Sequence, residues 1–299
     1  MSIITIERVQ KLLQRQFQEL KTLDLVLLST QGRDNITYKC GDCLLRFPSS
    51  HAHAQHVEAE QTWLPILSQS LSCAIPQFVA VGKPDAECYS YNWLIYRWID
   101  GVSADQRTLS AYELEMLASD LADFLIELHS LDPFVLSKRY NTDLNLLKPS
   151  AANFWRGGSL QNYSAQMLKQ IQQLKDIVDQ ERATKIWNEA LHSSCKEKKE
   201  HFVHGDLSAG NLLLRDNKLC AVIDFGQIAV GDIACDLAIA STLFNNNSRA
   251  IFQQKLNLPD SIWARAKGLA LWKATYELCN CADYESDFAK KQLSLIHNL

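Results

Sequence analysis

Apolar positions in the first twenty residues recur at helical spacing. Ile6, Val9, Leu12, Leu13, Phe17 and Leu20 share one face, which predicts an amphipathic helix over Thr5 to Leu20 lying against a sheet. From Asp24 to Pro48 the period changes to short apolar runs, Leu25-Val26-Leu27-Leu28, Ile36-Thr37-Tyr38 and Cys43-Leu44-Leu45-Arg46-Phe47. Gln31-Gly32-Arg33-Asp34-Asn35 and Gly41-Asp42 separate them, so the segment reads as a three-strand meander. A polar helical stretch from His53 to Ser70 follows. Two further strands, Gln77 to Val81 and Trp93 to Trp98, complete a small α+β unit that ends near Ile99-Asp100-Gly101.

The rest of the chain reads as mainly helical. Ser110-Ala111-Tyr112-Glu113 is a capping-box pattern that opens a helix with Leu114, Leu117, Leu121, Leu125 and Leu128 on one face. Between Asp132 and Glu200 lies a helical region broken at Gly157-Gly158, with 11 Lys or Arg against 8 Asp or Glu. An island of strand then appears: Phe202-Val203-His204, and a hairpin from Leu212-Leu213-Leu214 through Asp216-Asn217 to Leu219-Cys220-Ala221-Val222-Ile223. Helical patterning resumes to the end, with no internal repeat and no low-complexity linker.

Composition narrows the function classes. The 299 residues carry a formal net charge of −4, with 47% hydrophobic and 21% charged residues, which suits one large or two modest globular domains. That balance lacks the basic excess a nucleic-acid partner requires. The nine cysteines are odd in number and scattered, a pattern of reduced thiols and of a cytoplasmic protein, not of a disulfide framework. The start, Met1-Ser2-Ile3-Ile4-Thr5-Ile6-Glu7-Arg8, lacks the pattern of a signal peptide, and no apolar run approaches the roughly 18 residues of a membrane span. His51, His53 and His56 are not at a helical metal-ligand spacing and read as solvated. Cys279 and Cys281 have no partner pair for zinc.

The chemistry is concentrated in His204-Gly205-Asp206-Leu207-Ser208-Ala209-Gly210-Asn211, followed by the hairpin and by Asp224-Phe225-Gly226. This ordered set matches the kinase pattern H-R-D-L-x-x-x-N with a later D-F-G, with Gly205 in place of the Arg. Four residues between Asp206 and Asn211 let one side chain face an acceptor hydroxyl and the other a metal, and the hairpin returns Asp224 to the same place. Three turn-forming residues in this order by chance is the weaker account. On these motifs the sequence resembles the aminoglycoside phosphotransferase family of the protein-kinase-like superfamily, over nearly the whole chain. The segments Gly32 to Tyr38, Leu44 to Pro48 and Glu60 to Pro65 look like those of 2″-aminoglycoside phosphotransferases.

The resemblance implies an α+β, protein-kinase-like bilobal fold. Residues 1–96 would be a nucleotide-binding lobe with a five-stranded antiparallel sheet plus helices, 97–101 a hinge, and 102–299 a mainly helical lobe with the catalytic hairpin and the acceptor site. It implies a phosphotransferase moving the γ-phosphate of ATP or GTP, with Asp206 as base and Mg²⁺ held by Asn211 and Asp224. Arg46 and Glu60 take the positions of the strand cation and helix carboxylate that clamp the phosphates, although kinases generally have Lys at the first. Ser29 and Thr30 belong to the turn that covers phosphate. Arg97, Trp98 and Ile99 supply main-chain contacts to the purine. His204 and Asp236 are structural parts of the motif, and His129 a satisfied helix-end residue.

The expected acceptor is a small hydroxylated molecule, an aminoglycoside first, with a macrolide, a choline-like alcohol or another metabolite as alternatives. Trp272, Tyr276 and Glu277, near Asp283, Glu285 and Asp287, form a candidate acidic and aromatic rim, and Asp232 is a further candidate contact. The same segment contains Lys273, Lys290 and Lys291, which also fits a solvated charged face. Two other classes stay open: a nucleotide-binding pseudokinase module, and a protein kinase. The second is disfavoured by the short distance from Asp224-Phe225-Gly226 to Gly231-Asp232, which leaves little room for a peptide-docking segment.

Overall fold

The computed structural model describes residues 4–29, 34–193 and 200–299, so Thr30, the Gln31-Gly32-Arg33 part of the turn and Cys195 lie outside the described residues. The chain begins with α1 (Ile6–Gln16), which buries Val9, Leu12 and Leu13 as the spacing predicts but stops before Leu20. Strands β1 (Leu25–Leu27), β2 (Asn35–Cys40), β3 (Cys43–Pro48), β4 (Phe78–Gly82) and β5 (Trp93–Arg97) form one antiparallel sheet in the order β1-β2-β3-β5-β4.

Strand β5 is apolar and buried from Trp93 to Tyr96, because both faces of the sheet are covered, and ends at the exposed Arg97. Trp93 and Ile95 join Leu45, Phe47 and the α1 side chains, and Trp93 stacks on Phe47 with ring centroids 4.7 Å apart. Leu94 and Tyr96, on the alternate face, pack into the larger core that continues through the rest of the molecule. The helical stretch after β3 divides into α2 (His51–Ala54) and α3 (Val57–Leu67). Helix α3 is not polar: it buries Val57, Ala59, Glu60, Trp63, Leu64, Ile66 and Leu67, and Trp63 meets Phe202 at 5.3 Å. Nor are the histidines all solvated. His53 bonds Ser49 and faces Asp34, while the buried Nε2 of His56 has no partner among the described residues and burial lowers that imidazole's pKa.

After β5 the chain passes through β6 (Val102–Ser103) into α4 (Ala111–Ser130), whose capping box from Ser110 and Glu113 is formed and whose buried face carries Leu117, Leu121, Leu125 and Leu128. Helices α5 (Pro133–Tyr140), α6 (Ser164–Gln173) and α7 (Gln180–His192) follow. Strand β7 (His201–Val203) leads to β8 (Leu212–Arg215) and β9 (Lys218–Val222), joined at Asp216 and Asn217, both with positive φ as a tight hairpin turn demands. The hairpin gains β6 as a third strand, and β7 pairs with β10 (Ala229–Gly231). Helices α8 (Ala234–Leu237), α9 (Ile239–Thr242), α10 (Asn246–Leu256), α11 (Asp260–Cys279) and α12 (Asp287–Asn298) complete the chain. Among the described residues no helix is long and apolar enough to cross a membrane.

Candidate active site

Residues 204–211 turn from β7 into the hairpin, and buried hydrogen bonds fix that turn. His204 is fully buried. Its Nε2–H donates to the Ile223 carbonyl at 2.9 Å, which leaves Nδ1 to accept the Asp206 N–H at 3.2 Å. Asp236, also fully buried, accepts from the His204 N–H at 3.0 Å, the Gly205 N–H at 2.8 Å and His129 Nε2 at 3.0 Å. Gly205 has φ +86°, and a Cβ there would stand 2.2 Å from the Gln227 carbonyl oxygen. This backbone therefore has no room for the Arg of the protein-kinase motif.

The loop presents Asp206 to two cations. Lys273 Nζ lies 2.9 Å and Arg156 Nη2 3.5 Å from the same oxygen, Oδ1. Burial alone would raise the Asp206 carboxyl; the charges of Lys273 and Arg156 outweigh it and lower the pKa to about 2. Lys273 projects from α11. Arg156 comes from the loop between α5 and α6, where Phe154 and Trp155 both have positive φ, a costly conformation for bulky residues. The loop is tied down where the Gly157 carbonyl accepts the Asp232 N–H at 2.7 Å. The Arg156 guanidinium lies over the Trp272 ring at 5.4 Å.

A second cluster gathers where the sheet meets the hairpin. Arg46 Nη1 bonds Glu60 at 2.8 and 2.5 Å, Arg46 Nη2 reaches Asp224 Oδ1 at 2.5 Å, and the Tyr96 hydroxyl donates to Glu60 at 2.8 Å. With its amide oxygen facing the guanidinium, Asn35 accepts from Arg46 Nε at 3.0 Å and Nη2 at 2.8 Å. Burial opposes the Arg46 charge, but Asp224 and Glu60 hold its pKa above the ordinary guanidinium range; burial pushes the Glu60 carboxyl up against the opposing pull of Arg46. A Cβ at Gly226 would approach Arg46 Nη2 to 2.8 Å, so a glycine after Phe225 lets the guanidinium reach Asp224. We expect Arg46→Lys, which keeps the charge but loses the planar fork that reaches Glu60 and Asp224 from separate nitrogens, to lower Tm and weaken nucleotide binding about tenfold in calorimetry. Unchanged binding would count against the phosphate-clamping role expected of Arg46 from the sequence.

Arg46, Asn211 and Asp224 line one cavity of about 410 Å³, together with Ser29 and the Arg97-Trp98-Ile99 segment. The N–H groups of Arg97 and Trp98 are spent on the Gln77 and Asp42 carbonyls, whereas that of Ile99 donates to no backbone carbonyl among the described residues. Asn211 gives its amide nitrogen to the Asp206 carbonyl at 2.9 Å, leaving its oxygen as an acceptor. That oxygen and the second oxygen of Asp224 are the hard donors a magnesium ion takes, two protein ligands being sufficient where phosphate oxygens and water complete the shell.

Asp206 faces a separate crevice of about 20 Å³ with Arg156, Lys273 and Thr242 in its wall. None of Trp272, Tyr276, Glu277 and Asp232 lines it among the described residues. Trp272 donates to Gln166 at 3.0 Å and stacks on Tyr276 at 5.9 Å, and the Asp232 carboxylate is held by Arg265 at 2.6 and 3.1 Å. Sequence reasoning missed Arg156 and Lys273 as residues of the site. The usable signals were the net-basic stretch that contains Arg156 and the position of Lys273 beside Trp272, one turn from Leu269, on a helix with a wide buried surface.

A model of the phosphotransferase enzyme family matches residues 28–269. The chain belongs to that family. Among curated proteins there is no match. Among solved structures, the phosphotransferase is similar to an aminoglycoside 2′-phosphotransferase-IIIa mutant bound to GDP, at TM-score 0.73 and 19% identity, covering 98% of this chain and 97% of that one. It is also similar to the streptomycin-ATP ternary complex of APH(2″)-IIa, at TM-score 0.62 and 20% identity over 100% and 98%. A macrolide 2′-phosphotransferase from Brachybacterium faecium gives TM-score 0.61 and 16% identity over 98% of each chain. These likenesses establish the kinase-like fold, an antiparallel five-stranded sheet followed by a helical part.

Proposed function

We propose that this phosphotransferase moves the γ-phosphate of ATP or GTP to a hydroxyl of a small molecule, with Asp206 as the base. The observation that carries this reading is the convergence of Arg46, Asn211 and Asp224 on one cavity while Asp206, at the other end of the same loop, faces a second space. Residues 1–96 serve as the nucleotide lobe, 97–101 as the hinge and 102–299 as the acceptor lobe. Ile99 and the carbonyls beside it meet the purine, and Ser29, in the cavity wall, covers phosphate. Asn211 and Asp224 would hold Mg²⁺, which would neutralise phosphate charge. His204 and Asp236 hold the loop so that Asp206 Oδ1 accepts the hydroxyl proton as the acceptor oxygen bonds to phosphorus and the nucleoside diphosphate departs with its bridging oxygen.

The neighbours' complexes with kanamycin, streptomycin and gentamicin support a hydroxylated acceptor, and the aminoglycoside expected from the sequence belongs in the test on that ground. Free thiols at every described cysteine and the use of nucleotide support a cytoplasmic setting. The test is a coupled turnover assay with ATP and GTP, with and without magnesium, against aminoglycosides, macrolides and small alcohols or acids. Acceptor-dependent, magnesium-dependent release of nucleoside diphosphate is the expected result. Failure to bind either nucleotide in the presence of magnesium would overturn the reading.

A further inference from the structure

An acceptor hydroxyl must reach Asp206 Oδ1, and both cations already occupy that oxygen: Lys273 at 2.9 Å and Arg156 at 3.5 Å. Asp206 is the only carboxylate among the residues lining its crevice. Thr242 also lines a wider neighbouring space of about 430 Å³, edged by Arg249 and Lys291 and otherwise by hydroxyl, amide and apolar side chains, with no carboxylate in its lining. Two adjoining spaces thus hold four cations against one carboxylate. Arg249 donates to the Ala240 and Phe244 carbonyls and keeps its charge. A polycationic acceptor entering here meets like charge with a single carboxylate, Asp206, already paired with Lys273 and Arg156, to offset it. An anion meets an ammonium and a guanidinium fork, the pair suited to carboxylate or phosphate oxygens.

Resting on the phosphotransferase reading above, we infer that the acceptor is a small hydroxylated anion, its carboxylate or phosphate held by Arg156 and Lys273 while its hydroxyl faces Asp206. The ion pair with Asp206 then has a second purpose. An acceptor anion that draws Lys273 and Arg156 toward itself frees Oδ1 at the moment a hydroxyl arrives to give up its proton. The arrangement of Arg156 over Trp272 and between the strained Trp155 and the anchored Gly157 keeps the guanidinium in place for that exchange.

The experiment is calorimetric titration of the full chain, saturated with MgADP, with gluconate, glucose 6-phosphate, sorbitol, glucosamine and kanamycin. At least one of the two anions should bind about tenfold or more tighter than sorbitol and glucosamine, with gluconate and glucose 6-phosphate separating a carboxylate from a phosphate preference. Lys273→Met and Arg156→Gln should each remove that advantage, while the Kd for MgADP and the MgADP-induced rise in Tm stay within about twofold of wild type, which also shows that the variants fold. Tighter binding of glucosamine or kanamycin than of both anions, or no advantage of the anions over sorbitol, would overturn the inference. So would variants that weaken MgADP as much as they weaken the anions, since the cations would then serve the nucleotide. Lys273-dependent anion binding in a protein that binds no MgADP would support the anion site and count against the phosphotransferase reading instead.

Discussion

Asp206→Asn is expected to lower kcat for phosphoryl transfer about 10³-fold while leaving the affinity for MgATP within a few-fold of wild type. Asn has the same size and still offers an oxygen to Lys273 and Arg156, but it cannot take the acceptor proton. The proposed nucleotide contacts, Arg46, Asn211 and Asp224, line the other cavity, so they should survive the change. Single-turnover rates and nucleotide Kd measured on the same preparation check both halves, and a kcat within about tenfold of wild type would remove Asp206 from the base position. The pH profile gives an independent check. Lys273 and Arg156 lower the Asp206 pKa to about 2 despite burial, so its basic form predominates above that value and is lost only as the pH falls through it. The kcat/KM profile of the free enzyme should show no acid limb from Asp206 across the neutral range.

Much of this site was legible in the chain because its parts are local. His204 to Asn211 and Asp224 to Gly226 are continuous stretches in which loop length sets geometry, and the Asp216-Asn217 turn that brings them together carries its own positive-φ signature. The continuous apolar run Trp93 to Tyr96 in β5 likewise registers a sheet covered on both faces. What the chain did not disclose is set by distant contacts. Helix α3 looked polar because Glu58, Glu60 and Gln61 interrupt its apolar positions, yet Glu60 is buried by its bonds to Arg46 and Tyr96, a pairing across a strand, a helix and a second strand. Lys273 is 67 residues and Arg156 50 residues from Asp206. Each resembles an ordinary surface cation until the fold sets it against a carboxylate, and no periodicity encodes that meeting. Charge composition was the available clue, and it lay in the basic stretch around Arg156, not in the acidic C-terminal segment.

Asp236→Ala should produce the largest loss of stability, about 3–5 kcal/mol, seen as a fall in Tm of roughly 5–10 °C. The carboxylate has no solvent exposure and accepts from the consecutive His204 and Gly205 backbone amides and from His129, with the Cys235 thiol as a longer fourth donor. Removing it leaves the N–H groups of His204 and Gly205 buried without an acceptor. The second of these has little freedom to turn elsewhere, because Gly205 is held at φ +86° against the Gln227 carbonyl. The damage then passes to function through a single covalent link: Asp206 follows Gly205 directly, and its own N–H depends on the ring of His204. Below its lowered Tm the variant should still bind MgATP, since Arg46, Glu60 and Asp224 do not touch Asp236, but its kcat should fall because the base is no longer held toward the acceptor. A Tm within about a degree of wild type would show that the loop amides find other partners, and that the buried carboxylate is not what orients Asp206.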